Sequence, residues 1–172
     1  LLFGAHGLLG PREQIEELVD LLGGDSLSFR LNNTELVNEV RLEELPEPPP
    51  HPQLDGRLAR EADLELLVSW RLAWLADVMH MPLTETLAHH ITRDLRQAVA
   101  GQRVALLEEN GTPLAMGQCM TSASTISQLG GFYVPEHLRG RGYGLAMIDR
   151  LCRLERQRGI LRSLILTIRR SI

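Results

Sequence analysis

The sequence predicts a mixed α/β domain, an α+β arrangement on a mixed sheet, and three observations predict it. The apolar spacing switches from helical to alternating after Gly101. Asn110-Gly111 stands between two apolar runs and is a strong signal for an antiparallel hairpin. A strand ending at Val134 is followed by a glycine-rich loop, a helix and another strand, which is a crossover. A small α/β fragment precedes this domain.

Residues 11–22 form the first predicted helix. Pro11 suits a first turn, acids lead, and Ile15, Leu18, Leu21 and Leu22 make one stripe. Gly23-Gly24 stops it. Residues 27–43 read as extended or mixed, with a turn at Asn32-Asn33. Five of the seven residues from Pro46 to Pro52 are proline, which admits neither helix nor sheet interior and marks a stiff linker. The expected organisation is an N-terminal fragment over 1–45, a linker over 46–56 and the main domain over 57–172.

Within that domain Arg57–Arg60 reads as a short strand. Asp63 then caps a helix to about Val78, with Leu64, Leu67, Val68, Leu72, Leu75 and Val78 at helical spacing. Trp70 and Trp74 sit on an adjoining stripe, as core or groove wall. Pro82 breaks the pattern, Thr84 starts a second helix to about Ala100, and Gly101 ends it. Strands follow over 104–109, 114–121 and 126–134. Gly130-Gly131 in the last of these marks a bulge or a close backbone approach. Gly142 to Gln157 is a helix with Leu145, Ile148, Leu151 and Cys152 inward. Gly159 ends it, and Arg162–Ile168, apolar on both faces, is a central strand.

Composition narrows the chemistry. The 172 residues include 18 basic side chains, all arginine. Without lysine there is no Walker-type phosphate loop, no pyridoxal-phosphate Schiff base and no kinase strand lysine. Residues 1–129 hold 9 arginines against 19 acids, whereas residues 130–172 hold 9 against 3. A basic tail on an acidic body, with a pI of about 5.9, fits a local anionic ligand and argues against a general nucleic-acid binder. No signal peptide and no membrane-length apolar run is readable. The chain begins at Leu1 rather than Met, so a trimmed N-terminus is expected. Cys119 and Cys152 read as buried thiols of a reducing, cytoplasmic compartment.

The informative segment is Phe132-Tyr133-Val134, then Arg139-Gly140-Arg141-Gly142-Tyr143-Gly144 at the helix start. Glycine lets backbone amides approach a ligand, and the first amides of a helix lack partners and carry the positive dipole end. Together they bind phosphate or pyrophosphate. The bland alternative is a tight turn. A dinucleotide G-x-G-x-x-G reading fails, because Leu145 or Met147 takes the third glycine position.

Arg139-x-x-Gly142-x-Gly144 after a strand ending in Val134-Pro135 resembles the R/Q-x-x-G-x-G/A signature of the GCN5-related N-acetyltransferases, the GNAT superfamily. The resemblance spans residues 57–168. It implies a GNAT-like acyl-CoA N-acyltransferase fold with acetyl-CoA as cosubstrate. The amides of residues 139–144 would cradle the pyrophosphate, aided by Arg139 and Arg141. The backbone of Phe132, Tyr133 and Val134 would pair with the pantetheine arm where the third and last strands splay. Arg150, Arg153, Arg156 and Arg158 read instead as a solvated helix face. A substrate amine would attack the thioester directly, a base or water chain would remove its proton, and the Val134 amide would hold the oxyanion.

The resemblance leaves the catalytic residues unassigned. Gln128 stands nearest to where some relatives carry a glutamate base, and Glu136 and His137 read as loop surface. Glu108 and Glu109 read as solvent-facing. The tyrosine acid of relatives lies after the last strand, beyond Ile172, so a missing C-terminal hairpin is expected. His80, His89 and His90 lack metal-ligand spacing, and no metal is expected. Two readings follow: an acetyltransferase acting on an amine, and a non-catalytic acyl-CoA-binding module with regulatory or structural use. A homodimer whose partner covers the last strand stays open as a third.

Overall fold

Asn110 and Gly111 turn the chain with φ of 51° and 77°, both positive, as a two-residue hairpin turn requires. From that turn β3 (Val104–Glu109) and β4 (Thr112–Ala123) run antiparallel. The computed structural model describes residues 8, 10–28, 34–47 and 54–168. The expected Asn32-Asn33 turn and most of the proline run lie outside these residues. The chain divides into two compact units, residues 1–36 with 167–172, and residues 37–166.

In the first unit, α1 (Arg12–Leu22) starts after Pro11 and ends at Gly23, whose φ of 128° suits glycine. None of its residues is buried, and Leu21 of the predicted stripe is 77% exposed.

Six strands form one sheet in the order β1-β6-β5-β4-β3-β2, with β1 at Glu35–Arg41 and β2 at Leu54–Leu58. β2 through β5 (Ile126–Tyr133) are joined antiparallel. β5 and β6 (Arg162–Ile168) are parallel, linked by α4 (Tyr143–Gln157). β6 is interior, as its two-sided apolar sequence requires. The edge of β6 that would call for a partner's strand is occupied by β1 of the same chain.

Alternation along β3 divides the core. Val104 and Leu106 join Leu67, Leu95, Met116 and Tyr133 beneath α2 (Leu64–Asp77) and α3 (Glu85–Ala100). Ala105 and Leu107 join Leu129, Met147 and Leu151 beneath α4. Each fully buried leucine contributes about 2 kcal/mol, and Leu106→Ala would cost about 3 kcal/mol. Thr84 caps α3 by accepting from the Leu87 amide at 3.2 Å.

Three sequence readings are corrected, the first at Leu145, which is 72% exposed at the start of α4 rather than inward. Glu108 is not solvent-facing: its carboxylate accepts from Arg57 at 2.6 Å and is 13% exposed. Arg57 also bonds both oxygens of Asp63 at 2.7 and 2.9 Å, tying β2 to the turn that opens α2. The arginines of α4 and its C-cap are a solvated face only in part: Arg156 and Arg158 are exposed, Arg150 and Arg153 are half-buried, and all four are hydrogen-bonded. Arg150 donates to the Leu54 carbonyl at 2.8 Å, Arg153 to that of Pro46, and Arg156 to that of Leu42. Arg158 donates to the Gln102 carbonyl and pairs with buried Glu155 at 2.8 Å. A long cationic fork can satisfy carbonyls of irregular segments, so these side chains bind the helix to its surroundings.

Candidate functional site

The junction between β5 and α4 is built by backbone conformation. One tight turn, Glu136–Leu138, bonds the Leu138 amide to the Pro135 carbonyl and the Arg139 amide to that of Glu136. Gly140 and Gly142 then take φ of 78° and 83°, which glycine adopts without a side-chain penalty. Ala146 is the first amide of α4 to be bonded, to the Gly142 carbonyl at 3.0 Å. Among the described residues, the six amides from Gly140 to Leu145 therefore have no backbone or side-chain acceptor. The free set starts one residue later than the signature alone indicates, and extends to Leu145.

Space and charge agree with this. A Cβ placed on Gly140 or Gly142 would meet no atom within 4 Å, so the loop is open above both. The first turns of α1, α2 and α3 carry Glu13, Glu65 and Glu85, whereas that of α4 carries no acid. Unsatisfied amides, the positive helix end and absent acids together favour a bound anion.

Side chains at the junction divide into braces and a free cation. Arg139 donates to the Val134 carbonyl at 3.0 Å and to Asp77 at 3.4 Å, and its guanidinium lies 5.7 Å from the Tyr133 ring. It holds the loop against β5 and α2. Arg141 is exposed and has no partner among the described residues. The Phe132 ring packs over Gly117 near Leu151, and the Tyr133 ring is buried 6.0 Å from Trp70, so neither ring projects from the loop. Tyr143 is half-buried against the α4 core, and Gly144 faces Val134.

Beside the loop the sheet opens. β5 and β6 are paired from Ile126↔Arg162 to Leu129↔Ile165 and no further. The edge of β5 from Gly130 onward is thus left without β6. There β5 also bulges: Gly130 faces Gln118, while Met116 faces Tyr133, so β5 carries one extra residue. Gly131 takes φ of 59° in this bulge, as the glycine pair predicts.

Arg71 of α2 presses on the bulge from the face of the sheet that α2 covers. A Cβ on Gly131 would overlap its guanidinium. The side chain donates to Gln118 Oε1 at 3.0 Å, lies 5.7 Å from the Trp74 ring and is 9% exposed. Neither Arg71 nor Gln118 is singled out by motif. The available signal is positional: Arg71 stands four residues from Leu67 and from Leu75, both buried, so a cation occupies a core position.

Of the remaining candidates, two lie in the turn that precedes the loop and the others elsewhere. Glu136 and His137 are exposed in the turn, and His89 and His90 are exposed on α3. No three metal-ligating side chains converge among the described residues. Cys119 and Cys152 are free and buried, and burial pushes each thiol up to about 11, which leaves them unreactive. No helix among the described residues is long and apolar enough to cross a membrane.

The family model of the GNAT acetyltransferases matches residues 66–171, more than half of the chain. The chain belongs to the GNAT acetyltransferase family. Solved structures share the fold. A GNAT-family acetyltransferase of Colwellia psychrerythraea is 18% identical with a TM-score of 0.61, over 80% of this chain and 47% of that one. The chain thus spans about half the length of that relative. A predicted acetyltransferase of Clostridium acetobutylicum, solved with acetyl-CoA, is 23% identical with a TM-score of 0.56, covering 67% and 82%. A Mycobacterium tuberculosis protein solved in complex with CoA is 21% identical with a TM-score of 0.53, covering 66% and 64%. No curated protein matches the chain in sequence.

Proposed function

We propose that this chain is an N-acetyltransferase that moves the acetyl group of acetyl-CoA to an amine. The observation that carries the reading is the run of six free amides, Gly140 to Leu145, under open space at a helix start. Those amides would hold the pyrophosphate, with Arg141 as the cation free to reach a phosphate. Arg139 positions the loop through Val134, Asp77 and Tyr133. The unpaired edge of Phe132, Tyr133 and Val134 would bond the pantetheine arm as an added strand.

In this reading the amine nitrogen attacks the thioester carbonyl. A C–N bond forms, the C–S bond breaks, the amine gives up a proton and the thiolate takes one. The Val134 amide would steady the oxyanion. The acceptor is a primary amine, and the two proton-transfer groups are not assigned.

Gln128 on β5 favours a second reading, a non-catalytic acyl-CoA-binding module, because an amide cannot serve as a base. Calorimetric titration with acetyl-CoA, followed by thiol release across an amine panel, separates the two. Binding with thiol release is expected. Binding without transfer to any amine favours the module, and no binding at millimolar acetyl-CoA overturns both.

A further inference from the structure

A guanidinium at a core position needs an explanation. Removing arginine from water without a carboxylate partner costs several kcal/mol. Among the described residues no carboxylate lies within ion-pair distance of Arg71, and burial alone lowers its pKa. Its partners are neutral: the Gln118 oxygen at 3.0 Å and the Trp74 ring at 5.7 Å. A guanidinium has five N–H donors, so one hydrogen bond leaves most of them unused.

The unused donors are not sealed away. Among the described residues no side-chain nitrogen or oxygen shut off from solvent lacks a partner. The remaining guanidinium nitrogens therefore keep some access to an opening. The fork itself lies against the Gly131 bulge, on the stretch of β5 that β6 does not cover. Its surroundings are apolar, with the Trp74 ring at 5.7 Å and Trp70 packed on Tyr133 in the same core cluster, which would strengthen a charge pair formed there.

Resting on the acyl-transfer reading above, we propose that Arg71 binds a carboxylate carried by one of the two reactants. Gln118 orients the fork, and the bulge at Gly131 brings the backbone against it. The carboxylate belongs either to the amine acceptor, as in an amino acid, or to the acyl group of a dicarboxylic thioester. Both sources present the same two oxygens to the same fork.

The test uses the intact chain in two arms. In the first, L-amino acids and their C-terminal amides are offered with acetyl-CoA. In the second, succinyl-CoA replaces acetyl-CoA with a carboxylate-free amine. The wild type is expected to prefer the carboxylate-bearing reactant in one arm by about tenfold or more. Arg71→Met should abolish that preference by raising the KM of that reactant, while the Kd of acetyl-CoA changes less than about twofold. Arg71→Lys, which keeps the charge, should retain part of the preference.

If Arg71→Met does not fold, the wild-type preference in the two arms still decides. Equal use of acids and amides together with equal use of both thioesters overturns the inference and leaves acyl transfer standing. Acetyl-CoA binding without use of any reactant also overturns it. Failure to bind acetyl-CoA at all overturns acyl transfer and the inference together.

Discussion

Leu129 of β5 faces Ile165 of β6 as the last paired residues of the parallel ladder. Two residues earlier, Ser127 and Ser163 share a buried hydrogen bond of 2.8 Å between their hydroxyls. One end of the ladder is thus pinned by a polar contact in the core, and the other stops where Gly130 and Gly131 bulge. The same stretch of β5 leads into the Gly140–Leu145 amides and lies against Arg71. The opening of the sheet, the glycine loop and the buried cation meet at one strand whose edge toward β6 is paired over only half its length.

Gly142→Val tests the loop. The φ of 83° is strained for valine, while nothing within 4 Å would clash with its Cβ. The cost to folding is about 1–3 kcal/mol of backbone strain. The added side chain would fill the space over the free amides. Calorimetry should show acetyl-CoA affinity lowered by about a hundredfold with a folded chain by circular dichroism, in line with the loss of several charge-assisted bonds. Unchanged affinity would remove the loop from the cofactor site.

Much of this arrangement is legible in the sequence because it is local. The Asn110-Gly111 turn, the glycines of the loop and the central β6 each follow from short-range chemistry, and their positions agree with the structure. The long-range polar contacts are not legible. Arg150, Arg153, Arg156 and Arg158 have the spacing of an exposed face, but their targets are carbonyls of residues 42, 46, 54 and 102. Glu108 has the position of a hairpin surface residue, yet Arg57 lies across the strand pair. Arg71 shows itself only as a charge at a core position. Periodicity reports which way a side chain points and not what waits there.

Arg158 and Glu155 form a charge pair whose acid is 2% exposed and whose base is 34% exposed. Removing the arginine would leave a buried carboxylate beside the Cys119 and Cys152 thiols. Arg158→Met is expected to destabilise the fold by about 2–4 kcal/mol in urea unfolding. Adding Glu155→Gln should recover part of that loss, because a neutral amide is cheaper to bury. A double variant no better than the single one would mean that the Gln102 carbonyl contact, not the charge pair, is what Arg158 supplies.

Asp63 predicts an acid limit. The Arg57 fork and the Arg60 amide hold its carboxyl below its ordinary value of 3.8. A depressed carboxylate stabilises the fold above the unfolded value and loses that contribution as pH falls through the folded one. Asp63→Asn should therefore lower Tm at pH 7, corresponding to about 1–2 kcal/mol. The gap to the wild type should shrink as pH falls below about 4. A gap independent of pH would mean that shape, not charge, holds the β2–α2 turn.

The two thiols predict an alkaline limit. Cys119 and Cys152 rise from an ordinary 9.0 to about 11, chiefly through burial, with the charge of Glu155 adding to both and that of Asp149 to Cys152. The native state then holds its thiol protons while the unfolded chain releases them. Stability contributed in this way is complete below pH 9.0 and is lost as pH rises towards about 11. At pH 8 the native thiols carry about a hundredfold less thiolate than free ones. Alkylation by iodoacetamide should accordingly be slower by at least that factor in the native chain than in urea, and mass spectrometry would count both sites. Fast labelling of either cysteine under native conditions would show that its strand or helix opens locally, and would place the weakest part of the α4 core at that residue.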